Sequence, residues 1–77
     1  MVLYHRGAAI RPSASKRGTM FIATASILEE DGETTSLGIL GRFANENSAF
    51  EFALRSATAF VEGEPMPLAP FGTAEAA

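Results

Sequence analysis

The stretch MFIATASILEEDGETTSLGILGRF, residues 20–43, decides the fold. Two runs rich in Ile, Phe, Leu, Thr and Ala flank Glu29-Glu30-Asp31-Gly32-Glu33, and Asp-Gly between alternating apolar runs is a hairpin signal. A three-residue loop with Gly32 in the left-handed conformation predicts one clean register. Phe21, Ala23, Ala25 and Ile27 then share a face with Leu37, Ile39, Gly41 and Phe43, whereas a two-residue loop would mix the faces. The opposite face is partly apolar, with Met20, Ile22, Leu28 and Leu40.

Working outward, Arg6 to Ser15 reads as a weaker strand, in which Ala8, Ile10 and Ala14 alternate with Ala9, Arg11 and Ser13. Ser15-Lys16-Arg17-Gly18 can turn the chain into the hairpin. Pro12 lacks an amide donor and therefore belongs on a sheet edge. Downstream, residues from about Asn45 to Glu62 are good helix formers with two competing starts. Asn45 can cap the helix itself, or Ser48-Ala49-Phe50-Glu51 can form a capping box. Gly63 ends the helix and Pro65 prevents its continuation. The expected fold is α+β, a three-stranded antiparallel meander packed by one C-terminal helix (β-β-β-α) over residues 1–63. Residues 64–77, with Pro65, Pro67 and Pro70, are expected as an extended or disordered tail. Met66, Leu68 and Phe71 would let that tail strap onto an apolar groove.

The order of Tyr4-His5-Arg6-Gly7, Ile10-Arg11-Pro12, the Asp31-Gly32 turn, and Phe43, Ala49, Phe52-Ala53, Ala57, Phe60-Val61 leading to Gly63 resembles a group of small uncharacterised bacterial proteins. These are built as a three-stranded meander followed by one helix. The resemblance covers residues 4–63 and implies the fold alone, because such patterns report packing and bring no activity or ligand with them.

Composition narrows the function classes. An apolar share of 47% and a charged share of 19% in 77 residues exclude collagenous, highly charged disordered and disulfide-scaffold chains. With no Cys and only His5 as an imidazole, a structural zinc site has too few ligands, and no metal or cofactor is expected. The charge-free run Gly18 to Leu28 is too short to cross a bilayer as a helix, and the N-terminus lacks the apolar segment of a secretory signal. The chain is therefore expected to be cytoplasmic, away from membranes. Residues 1–27 carry Arg6, Arg11, Lys16 and Arg17 without an acid, +4. Residues 28–77 carry nine acids against Arg42 and Arg55, −7, and the two sums give the net −3. An acidic balance argues against general nucleic-acid binding but allows a local basic patch.

No motif carries chemistry. A Ser-His-Asp triad would have to use His5 and Asp31, and Asp31 is already explained as a turn residue. The carboxylate pairs Glu29-Glu30 and Glu62-Glu64 sit at element ends beside glycine, where solvated charge is ordinary. Gly38-Ile39-Leu40-Gly41 lies inside a strand with apolar middle residues, unlike a phosphate loop. Arg17-Gly18-Thr19-Met20-Phe21-Ile22 has the basic-Gly pair of the RNA-recognition strand motif, but Thr19 and Thr24 stand where two of its stacking aromatics belong.

Two binding surfaces follow. With Phe50 at zero on a helical wheel, Ala53, Leu54, Ala57, Phe60 and Val61 form the sheet-facing side. Ala49, Phe52, Ser56 and Ala59 extend the apolar arc beyond what one sheet covers. A domain below roughly 70–80 residues seldom gains more than about 3–5 kcal/mol from one core and needs a further device. The leading expectation is thus a non-enzymatic homodimeric protein-interaction module of unknown partner, with Ala49, Phe52, Ser56 and Ala59 as the dimer interface. The runner-up is anion or single-stranded nucleic-acid binding through Arg11, Lys16, Arg17 and Arg42 in the basic strand-turn region.

Overall fold

The computed structural model describes residues 2–67. Its elements are β1 (Leu3–His5), β2 (Ala8–Arg17), β3 (Met20–Leu28), β4 (Thr34–Phe43) and α1 (Glu46–Glu62). The fold is α+β with a C-terminal helix, but the antiparallel sheet has four strands in the order β1-β2-β3-β4 rather than three. The additional strand is three residues long, too short to display an alternating pattern. It folds back because Arg6 (φ 51) and Gly7 (φ 83) both take the left-handed conformation of a two-residue hairpin turn. The strand expected to end at Ser15 runs on to Arg17, and the chain reverses at Gly18-Thr19, with Gly18 at φ 63.

The deciding hairpin closes through the three-residue loop. Glu29 N donates to Glu33 O (2.8 Å), Gly32 N donates to Glu29 O (2.9 Å), and Gly32 is left-handed at φ 91. Glu33 N also donates to Asp31 Oδ1 at 3.0 Å, which occupies the turn aspartate locally.

The register departs from a straight ladder at two bulges. Ser26 pairs with Ser36 but Ala25 with Gly38, and Thr24 pairs with Ile39 but Ala23 with Gly41, so Leu37 and Leu40 are the extra residues. One bulge inverts the faces of β4 and the second restores them. Phe21 therefore pairs with Phe43 on the inner side as expected, while Ile39, expected inside, faces out and is 38% exposed. Leu40, expected outside, packs with Leu37 against the core. Gly38 at φ 71 supplies the positive dihedral beside the first bulge.

The helix starts at Asn45, whose Oδ1 accepts from Ser48 N at 2.8 Å, so the first of the two start signals is the one used. It ends as expected at left-handed Gly63: Gly63 N donates to Phe60 O (3.2 Å) and Glu64 N to Ala59 O (2.9 Å). Its buried residues are Ala49, Phe52, Ala53, Ser56 and Ala57, so the helix is turned toward Phe52 relative to the expected face. The cause is a ridge of Ala49, Ala53 and Ala57, each 0% exposed, lowered onto a sheet surface of Ala8, Ala23, Ala25 and Gly41. Small side chains on both sides permit close approach, and Phe52 fills the space beside Phe43, with ring centroids 5.0 Å apart. Ile10 and Ile27, each 1% exposed, complete the core. Phe50, Leu54 and Val61, expected at the centre of contact, are half-buried on one flank, and Phe60 is exposed.

Residues 64–67 form neither helix nor strand, and Pro65 and Pro67 border a cavity of about 460 Å³ beside Leu54, Thr58 and Ala59. The remainder of the expected tail, residues 68–77, lies outside the described residues. Among the described residues no helix is long and apolar enough to cross a membrane.

Candidate functional site

The helix lies over β2, β3 and β4 on one side of the sheet, and the opposite side carries no covering element among the described residues. Alternation along each strand places its outward residues in cross-strand rows. The first row is Tyr4, Ala9, Leu28 and Thr34, and the next holds Arg11, Ser26 and Ser36 with Val2 beside them. Ser13, Thr24 and Ile39 form the middle row, Ser15, Ile22 and Arg42 the fourth, and Arg17 and Met20 the last.

This face has a distinct chemistry. Its centre is hydroxyl-bearing through Ser13, Ser15, Thr24, Ser26 and Ser36, and it holds Arg11, Arg17 and Arg42 but no carboxylate. Among the described residues the one close pairing of a basic with an acidic side chain is His5 with Glu62, elsewhere, so none of these arginines has a carboxylate at ion-pair distance there. Tyr4 is 81% exposed and Leu28 48%, a large apolar corner for so small a chain. Shallow cavities mark the surface: one of about 270 Å³ between Tyr4, Arg11, Ser26 and Leu28, and one of about 160 Å³ among Arg11, Ser13, Thr24 and Ser36. Ile22 is only 9% exposed although it faces outward, in a row whose one long side chain is Arg42. The Nε of Arg42 is buried with no hydrogen-bond partner among the described residues.

Of the basic residues singled out from sequence, the sheet thus brings together Arg11, Arg17 and Arg42. Lys16 stands at the opposite parity, paired with Phe21, and projects from the helix side of β2. Most of the expected dimer surface lies inward in the single chain. Ala49, Phe52 and Ser56 are 0%, 5% and 1% exposed within one chain, because the alanine ridge turns their sector onto the sheet. Only Ala59 of that group keeps partial exposure. Ala49, Phe52 and Ser56 are therefore packed inside the single chain.

Tyr4 was missed as a site residue because β1 was missed. The signal was present in Arg6-Gly7, where a glycine follows one long polar residue between short apolar segments.

His5 Nε2 and Glu62 Oε2 are 2.8 Å apart, tying β1 to the end of the helix. A cavity of about 490 Å³ opens where the Arg6-Gly7 turn and the Glu29–Glu33 loop meet Phe60 and Val61. Its carboxylates come from Glu29, Glu30 and Asp31, and no group of three or more potential metal ligands gathers among the described residues. No protein-family model, curated protein or solved structure matches the chain.

Proposed function

We propose that this chain is a small non-enzymatic binding module that presents the helix-free face of its sheet to a macromolecular partner. One observation carries the reading: a four-stranded sheet sealed on one side by α1 leaves on the other an acid-free face with Tyr4 81% exposed. Apolar corners of this kind on small chains mark contact surfaces. His5 and Asp31 are engaged in structural contacts, to Glu62 and to the Glu33 amide, which supports a non-catalytic role for both.

A homodimer is the second reading, favoured by the apolar corner of Val2, Tyr4 and Leu28. Its interface would lie on this face, in place of Ala49, Phe52, Ser56 and Ala59. Against it, face-to-face pairing would bury the central hydroxyls and bring like-charged guanidiniums together.

The test is sedimentation of wild type and Leu28→Glu at micromolar concentration, with amide chemical shifts recorded over a concentration series. Shifts confined to β1, β2, β3 and β4 residues of the outer rows identify the face as the working surface. Self-association that maps to the helix would overturn the reading.

A further inference from the structure

We infer that the occupant of the helix-free face is a single-stranded nucleic acid, held by its phosphates. The inference rests on the binding-module reading above and names its partner. Its ground is charge complementarity. The chain is net −3, yet Arg11, Arg17 and Arg42 stand on this face without a carboxylate. The acids of the strand loops and helix, Glu29, Glu30, Asp31, Glu33, Glu46, Glu51 and Glu62, lie in the β3–β4 loop and on α1, off the outer rows.

The rest of the surface fits the same ligand. Phosphate oxygens are contacted by arginine together with serine and threonine hydroxyls, and the three rows from Arg11 to Arg42 carry Ser13, Ser15, Thr24, Ser26 and Ser36. Exposed Tyr4 beside Arg11 supplies a flat ring on which one base can stack. From Ala9 to Arg17 the face extends about 26 Å along β2, taking about 3.3 Å per residue. That length accommodates a strand at the lower end of the roughly 4–16 nucleotides bound by single-strand-binding folds. With one aromatic in place of several, affinity comes mainly from phosphates and tolerates any sequence. A duplex, rigid and wide, meets a flat sheet face at fewer phosphates than a flexible strand laid along the rows. An acidic peptide offers charge but no base for Tyr4.

The experiment is fluorescence anisotropy of a labelled mixed-sequence 12-nucleotide single-stranded DNA and the matching RNA, with amide shift mapping on the same complexes. Three phosphate contacts give a salt slope of about −2, so affinity should fall about 20-fold between about 50 and 200 mM salt. Arg11→Gln and Arg17→Gln should each reduce the slope by about 0.7, and Tyr4→Ala should weaken binding about 5- to 150-fold. All three positions are exposed, so folding is not at issue. Arg55→Gln, which removes the same charge from the exposed side of the helix, should change nothing.

Absence of binding at about 50 mM salt overturns the inference, as does binding that Arg55→Gln weakens as much as Arg11→Gln. A poly-glutamate peptide, or a second copy of the chain, that shifts the outer rows while the oligonucleotides do not also overturns it. That outcome leaves the binding-module reading standing.

Discussion

Replacing Ser56 by alanine should make the protein more stable. Ser56 is 1% exposed in the middle of α1, and its Oγ has no hydrogen-bond partner among the described residues. A buried polar group left without a partner costs about 1–3 kcal/mol. Serine is also a poorer helix former than alanine by roughly 0.5 kcal/mol, because its hydroxyl competes for backbone groups. Against these gains stands the loss of one oxygen's packing contacts, a few tenths of a kcal/mol at about 0.1–0.2 per contact. The net expectation is a stabilisation of about 1–3 kcal/mol.

For a domain of this length each kcal/mol moves the melting temperature by about 4–8 °C, so Ser56→Ala should melt about 4–24 °C above wild type by far-ultraviolet circular dichroism. Thr58 is the internal control. Its Oγ1 donates to Leu54 O at 2.8 Å, so Thr58→Ala exchanges a satisfied bond of about 0.5–1.5 kcal/mol for a similar gain in helix propensity and should be nearly neutral. A Ser56→Ala melting point at or below wild type, with the Thr58 control unmoved, would show that the hydroxyl has a partner and that the reasoning about its burial is wrong.

Three further outcomes follow from the same geometry. Gly32→Val should lose about 1–3 kcal/mol in urea unfolding through backbone strain at φ 91, since a Cβ there meets nothing within 4 Å among the described residues. Phe52→Ala should cost about 3–5 kcal/mol as a core truncation, read by chemical denaturation; a cost under about 1 kcal/mol would mean that Phe52 is not packed against Phe43. A double-mutant cycle on His5 and Glu62 should give a coupling of about 0.2–1 kcal/mol, as expected for a pair left 33% and 28% exposed.

Much of this fold is legible in local chemistry, and what is not legible is non-local. Asp31-Gly32 specifies its three-residue loop, Asn45 caps and Gly63 stops the helix, and each does so through bonds within a few residues. The bulges in β4 are invisible to alternation because Leu37 and Leu40 obey a period of two only if each opposes a single partner. The helix rotation escaped a wheel centred on Phe50, since hydropathy gives alanine little weight. In the folded chain the alanines set the approach distance and therefore decide which aromatic goes inside. The proposed binding face is half legible: the arginines are visible, but only the register shows that Arg11, Arg17 and Arg42 share a side and that Lys16 does not.

The edges of the sheet explain why the face, and not strand addition, is the surface left for a partner. An unpaired strand edge invites pairing with another chain, and proteins blunt it with short strands, proline, charge or bulges. Here β1 is three residues long and covers β2 only as far as Ile10. Beyond it, the exposed length of β2 contains Pro12, which has no amide to offer, and then Lys16 and Arg17. On the far side, β4 carries two bulges within five residues, Leu37 and Leu40, which bend its edge out of plane. Both edges are therefore poor templates, and the helix closes the inner side. An extended partner that gains little from backbone pairing would have to be held by side chains, and the proposed face offers arginines, hydroxyls and one tyrosine in its outer rows.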